Sequence, residues 1–227
     1  LLYSNSTAAV AAPPPPPNAG QNIAGTSASD NILGGAKDDK IAGGGGNDIL
    51  RGKQGDDNLN GGTGRDQIGG GVGDDTLSGG RGADTLSGYN GEDILQGGSE
   101  ADRLMGKKGH DRLFGGTGDD KLFGNNGNDR LDGGADNDTI NGGAGDDTLI
   151  GGDGADTFVF APNSGSDRIW DFAVGEDMIQ IRGSAQSIDD LQFVQNGPHV
   201  LITGNGVEIV VQNTDLLALQ DADNFLF

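Results

Sequence analysis

Cysteine is absent from the chain, which excludes a disulfide framework, a thiolate zinc site and a thiol nucleophile. Aromatic residues make up 5% of the 227 residues and hydrophobic residues 33%. That is too little apolar bulk for a conventional core to offset the entropy of ordering the chain. No apolar run approaches the roughly 20 residues of a transmembrane helix. The only histidines are His110 and His199, the zincin signature is missing, and no Gly-X-Ser-X-Gly elbow occurs, so the residues offer no catalytic constellation. Positive charge is scarce as well. Lys plus Arg total 14 against 35 Asp plus Glu, a formal net charge of -21, which repels nucleic acid and anionic lipid. The chain opens on Leu1 without the basic start of an export signal and reads as a piece of something longer.

Glycine, by contrast, is abundant: there are 45. It has the most backbone freedom to lose, so its abundance deepens the entropic deficit. Either the chain is a solvated acidic tail or its carboxylates are cation sites, and spacing decides between the two. Residues 1–24 read as a linker, because the unbroken proline run Pro13–Pro17 favours an extended, semi-rigid rod. A spacer implies a further domain ahead of Leu1. From Gly25 to Val159 the sequence repeats every nine residues, fifteen times in succession. Glycine opens every unit, the eighth position is always apolar, and the fourth is glycine except at Ala28, Lys37, Glu100 and Asp136. The sixth position is always aspartate. Residues 160–227 lose the period and carry strand formers, such as Met178-Ile-Gln-Ile and Val207-Glu-Ile-Val-Val, between glycine turns. They read as a β cap on the repeat stack.

The unit explains itself as a six-residue turn followed by a three-residue strand. Glycines at positions one, two and four permit φ > 0, so the turn bends sharply and aims carbonyl oxygens inward. The sixth-position aspartate adds a carboxylate. Such oxygens are what calcium takes, six to eight at about 2.3–2.6 Å. One turn cannot supply that many, so each ion is shared between turns. In the strand, positions seven and nine face solvent and position eight faces inward. Two units then form one flattened coil of eighteen residues, and turns from units n and n+2 stack in one column. The candidate ligands are Asp39, Asp48, Asp57, Asp66, Asp75, Asp84, Asp93, Asp102, Asp111, Asp120, Asp129, Asp138, Asp147 and Asp156. The turn glycines Gly43, Gly61, Gly70, Gly79, Gly115, Gly133, Gly142 and Gly151 join them. Roughly ten calcium ions are expected, with an unfolded chain in their absence.

The motif Gly-Gly-X-Gly-X-Asp-X-apolar-X, in register over residues 25–159, resembles the nonapeptide repeat of the repeats-in-toxin (RTX, hemolysin-type) calcium-binding family. Asp167-Arg-Ile-Trp-Asp-Phe and Gly175-Glu-Asp-Met-Ile-Gln-Ile are similar to the segment that follows such repeats in serralysin-type proteases. The resemblance implies an all-β fold, a right-handed parallel β-roll with calcium between turns. It also implies an extracellular protein of a Gram-negative bacterium, exported by a type I secretion system that reads an uncleaved C-terminal signal. Asp221-Ala-Asp-Asn-Phe-Leu-Phe looks like that signal. Thr26 and Ala28 stand where glycines belong, so Asp30 is expected to complete a weak site or none. Lys37, Glu100 and Asp136 are expected to hold φ > 0 without being glycine, and Lys107-Lys108 places positive charge at a turn meant for a cation.

Three rival readings of the repeat compete with this one. An EF-hand needs a twelve-residue loop between helices, which a nine-residue period excludes. An ice-binding array needs regular threonines, and the third position has only Thr63 and Thr117. The third is an acidic-polysaccharide or cell-surface module built on Arg103, Lys107, Lys108, His110, Arg112, Lys121 and Arg130 beside Met105, Phe114 and Phe123. Alternation puts Arg103 and Lys121 on one face and Arg112 and Arg130 on the other. That split favours the plainer reading, in which position seven simply tolerates long polar side chains.

Overall fold

A computed structural model of the chain describes residues 20–183, 187–220 and 222–227. The proline run and the rest of residues 1–19 lie outside the described residues. The repeats form a parallel β-roll of two sheets, with consecutive units alternating between them. One sheet has twelve strands and runs from Asn22–Ala24 and Lys40–Gly45 to Thr148–Asp153 and Ser166–Ile169. The other has ten, from Asn31–Leu33 and Ile49–Gln54 to Thr157–Phe160, Met178–Ile181 and Phe225–Leu226. Partners within a sheet are eighteen residues apart, as in Leu77 with Leu95 and Leu104 with Leu122. The regular stack begins at Asn22, where Ile23 pairs with Ile41, inside the segment read as linker.

Strand alternation places the eighth position inside. Leu50, Leu77, Leu86, Leu95, Leu104 and Leu113 are each 0% exposed and belong to two files of aliphatic side chains, one from each sheet, that fill the space between them. One buried residue per nine makes each file only one side chain wide. The roll is therefore held along its length by main-chain ladders and by whatever happens in its turns.

Two expectations about the unit are corrected. From Lys40–Gly45 to Thr148–Asp153 each strand spans six residues rather than three, for example Thr76–Arg81, because pairing resumes past the bend: Gly80 pairs with Gly98 and Arg81 with Ser99. Only the first-position glycine drops out of the ladder. Nor do first-position glycines need φ > 0. Positive φ falls on position two, as at Gly80 (108°) and Gly98 (120°), and on position four, as at Gly82 (122°). Glu100 and Asp136, both at 78°, adopt it as expected, but Lys37 does not. Lys37 lies in the second unit, where Gly35 also lacks the left-handed conformation, so that turn is bent differently.

The cap closes the stack with strands where residues 160–227 are rich in Ile and Val. An antiparallel meander, Gln192–Asn196, His199–Gly204 and Val207–Val211, completes the twelve-stranded sheet. Phe225–Leu226 completes the other by pairing with Ile179 and Gln180. Phe158, Phe160, Phe172, Val200, Ile202 and Ile209 are buried there, and they supply the aromatic and branched bulk missing from the roll.

Candidate metal centre

The sixth-position aspartates stack in two columns, one along each edge of the roll, and from Asp39 to Asp156 all are buried. Their carboxylates do two different things. One oxygen clamps the coil before it: the backbone N–H of Asp84 donates to Asp102 Oδ1 at 2.7 Å, and that of Asp102 to Asp120 Oδ1 at 2.7 Å. The same bond recurs from Asp30–Asp48 to Asp138–Asp156. The backbone carbonyl is used as well, since Arg103 N–H donates to Asp84 O at 2.9 Å. Aspartate suits this position because its short side chain spans one coil step.

The other oxygen has no protein partner. Oδ2 of every sixth-position aspartate from Asp48 to Asp156 is buried and accepts no hydrogen bond. Buried polar atoms are normally satisfied, so a periodic set of orphans along two edges calls for a ligand. The space beside each orphan is kept open by the first-position glycine. A Cβ on Gly97 would fall onto Asp102 Oδ2 and lie 2.7 Å from the Gly115 carbonyl oxygen of the next coil. Gly43 with Asp48 and Gly61, and Gly133 with Asp138 and Gly151, repeat the arrangement. Each cradle thus brings together a carboxylate oxygen and a main-chain carbonyl from an adjacent turn, the oxygen donors a hard cation takes. No three acidic or histidine side chains converge among the described residues; the donor set is carboxylate plus main chain.

The orphans stop at both ends of the roll. Asp39 Oδ2 accepts from Gly35 N–H, and Asp30 Oδ2 accepts from Thr26 N–H at 2.7 Å and Thr26 Oγ1 at 2.9 Å. At the far end Asp167 and Asp177 continue the clamp, accepting from Asp147 N–H at 3.1 Å and Asp156 N–H at 3.0 Å. Their second oxygens are satisfied by Ser164 Oγ and Ala173 N–H. Sequence reasoning missed Asp167 and Asp177 because their spacing, 20 and 21 residues from the clamped aspartate, breaks the eighteen-residue period. It also missed position five. There Asp56 Oδ1 accepts from Asp74 N–H at 2.9 Å, and His110 Nδ1, as placed, accepts from Asn128 N–H at 2.8 Å. The many Asp and Asn residues at that position were the available signal.

Electrostatics point the same way. Burial pushes the Asp75, Asp102 and Asp111 carboxyls up to about 7, and like charges in adjacent coils add to it. Asp138 and Asp147 are pushed up to about 8, again chiefly by burial, with Asp120 and Asp156 repelling the first and Asp167 and Asp129 the second. These carboxylates resist carrying charge unless a cation or a proton neutralises it.

The family model for the RTX calcium-binding nonapeptide repeat (4 copies) matches in overlapping stretches from 24–59 to 123–158, covering more than half of the chain. The chain belongs to that family. RTX repeats bind calcium, and the orphaned oxygens of this RTX roll fit that ion. Comparison with curated proteins found no match. Among solved structures, the extracellular lipase LipA from Serratia marcescens is similar at 21% identity and a TM-score of 0.39. The match covers 92% of this chain but only 40% of the lipase. The AlgE6R3 subunit of the Azotobacter vinelandii mannuronan C5-epimerase is similar at 28% identity and a TM-score of 0.37, over 60% of this chain and 78% of that one.

Proposed function

We propose that this chain is the calcium-dependent folding module of a secreted Gram-negative bacterial protein, one that stabilises or displays a domain preceding Leu1. The observation that carries the reading is the buried, partnerless Oδ2 on each sixth-position aspartate from Asp48 to Asp156. Unpaired buried carboxylates in two columns are strongly destabilising. Bound calcium supplies dications that accept these oxygens and reverse the repulsion within each column. The chain's own part is to set the donors: Oδ1 fixes the aspartate to the preceding coil, and the first-position glycine keeps the cradle clear. Roughly ten such ions along the two edges would make folding cooperative along the stack.

Export fits this dependence. Asn224 and Phe225, in the segment read as a type I secretion signal, are buried in the cap, and Phe225 pairs with Ile179. A secretion machine can read that segment only in the unfolded chain. The low calcium of a cytosol keeps it unfolded, and millimolar calcium outside drives folding after passage. Nothing in this scheme requires catalysis by the repeats themselves.

The test is circular dichroism and differential scanning calorimetry of the purified chain in excess chelator, in millimolar calcium and in millimolar magnesium. The expected result is a cooperative gain of β signal and a melting transition in calcium alone. An identical β signal and melting point in chelator would overturn the reading.

A further inference from the structure

The two faces of the roll differ in charge. Among the described residues, the strands of the ten-stranded sheet carry Arg51, Lys53, Arg103, Lys107, Lys108 and Lys121, and not one Asp or Glu. The strands of the twelve-stranded sheet mix Lys40, Arg81, Arg112, Arg130 and Arg168 with Asp132, Asp153, Asp167 and Glu208. A cationic strip free of acids, on a chain of net charge -21, is a marked local reversal.

The second position of the repeat shows the same asymmetry. From Gly44 to Gly152 the twelve-stranded sheet uses glycine there, in the left-handed region that suits it. From Lys53 to Gly143 the ten-stranded sheet has glycine there only at Gly71 and Gly143, and holds Lys53 (φ 92°), Tyr89 (81°), Lys107 (90°) and Asn125 (81°) in that region. Side chains are strained in this conformation, and such strain concentrates at binding sites. The opposite sheet folds without it, so the fold does not require these four side chains.

They line a groove. A hollow of about 550 Å³ on this face is bordered by Arg51, Lys53, Ser87, Tyr89, Met105 and Lys107. Tyr89 is 52% exposed, and its ring overlies Gly69, where a Cβ would come within 3.2 Å of it. Ser87 is 7% exposed and its Oγ has no hydrogen-bond partner. One coil further on, a second hollow on the same face includes Phe123, Asn125, Asn141 and Arg182. Between them the Arg103 guanidinium lies 4.3 Å from the Phe123 ring centroid.

We infer that the outer face of the ten-stranded sheet binds an acidic polysaccharide laid along the stack axis. Lys53, Lys107, Arg51 and, between the hollows, Arg103 would meet its carboxylates, the Tyr89 ring the apolar face of a sugar, and Ser87 and the asparagines its hydroxyls. The two hollows lie in line across successive coils, which suits a polymer better than a small anion. Aspartate-rich turns border the strip on both sides, so a flat anionic membrane or a duplex would meet repulsion that a single thin chain avoids. The inference requires the folded roll, and so the calcium dependence proposed above.

The test measures binding of the calcium-folded chain to hyaluronan and to short mannuronate oligomers, both uronate chains chosen because calcium does not gel them. Dextran, phosphatidylserine vesicles and single-stranded DNA are the contrasting arms. Circular dichroism in calcium first establishes that each variant is folded, which separates failure of this inference from failure of the folding proposal. Binding to at least one uronate polymer is expected, weakened at least tenfold by Arg103→Glu with Lys107→Glu and unchanged by Arg112→Glu with Arg130→Glu. If the first pair fails to fold, Arg103→Gln with Lys107→Gln serves in its place, with the same tenfold criterion. Tyr89→Gly should raise the melting temperature while weakening binding, a combination that a purely structural tyrosine would not give. Absence of binding to both uronate polymers, equal losses from the two face variants, or tighter binding to vesicles or DNA would overturn the inference.

Discussion

Asp102 reaches in two directions: its Oδ1 accepts the Asp84 N–H at 2.7 Å, while its Oδ2 lies buried in the cradle beside Gly97 with no protein partner. Clamping and metal donation therefore reside on different oxygens of one carboxylate, and substitutions can separate them. Asn at 102 can keep the accepting Oδ1 but loses the negative charge. Ala loses both functions. In calcium, Asp102→Asn should raise the calcium midpoint of folding several-fold. Asp102→Ala should do the same and remove about 1–3 kcal/mol more by leaving the Asp84 N–H unsatisfied. Asp30→Ala, at an end where the protein already satisfies Oδ2, should leave the calcium midpoint nearly unchanged. Calcium titrations followed by circular dichroism check all three, and equal shifts at 30 and 102 would contradict the assignment.

Gly97 and Glu100 make opposite demands three residues apart. Gly97 has no left-handed φ to require glycine; it is needed because a Cβ would occupy the cradle. Gly97→Ala should therefore lower stability in calcium by roughly 1–3 kcal/mol, the usual cost of overpacking. It should also raise the calcium requirement. Glu100 holds φ at 78°, so Glu100→Gly should relieve strain and stabilise the roll by about 1 kcal/mol. Asp136→Gly should gain less, because Asp136 Oδ2 accepts the Gly118 N–H at 3.0 Å and that bond would go. Thermal melts in saturating calcium compare the three variants.

The nine-residue period made the roll legible. It fixed which residues turn inward, which strands pair and which carboxylates share an edge, because each is a consequence of spacing alone. The finer division of labour was not legible. That Oδ1 of Asp102 clamps while Oδ2 waits, that Gly97 is needed for space and Gly98 for φ, and that Asp30 and Asp39 are satisfied locally all depend on angstrom-scale placement. Lys53, Tyr89 and Lys107 escaped notice as a group because their shared feature is a backbone conformation. Asp167 and Asp177 escaped because insertions in the cap shift them off the period.

The raised carboxyls give the roll a pH dependence whose sign reverses with calcium. Asp75 stands at about 7 and Asp138 and Asp147 at about 8 in the folded chain, against 3.8 as the ordinary value. A folded-state value above the unfolded one means that the folded form binds protons more tightly. Without metal, the stability from these groups is complete below about 4, declines as pH rises from there, and is gone once pH has passed through about 7 for Asp75 and about 8 for Asp138 and Asp147. Acidifying a metal-free sample from pH 8 to 5 should therefore increase its β signal. In calcium the same protons compete with the ion for Oδ2, so the calcium midpoint should climb as pH falls over that range. Paired circular dichroism titrations at pH 5, 6, 7 and 8, in metal-depleted and calcium-containing buffer, read both trends. A metal-free chain with no more β signal at pH 5 than at pH 8 would mean that repulsion among buried carboxylates is not what calcium relieves.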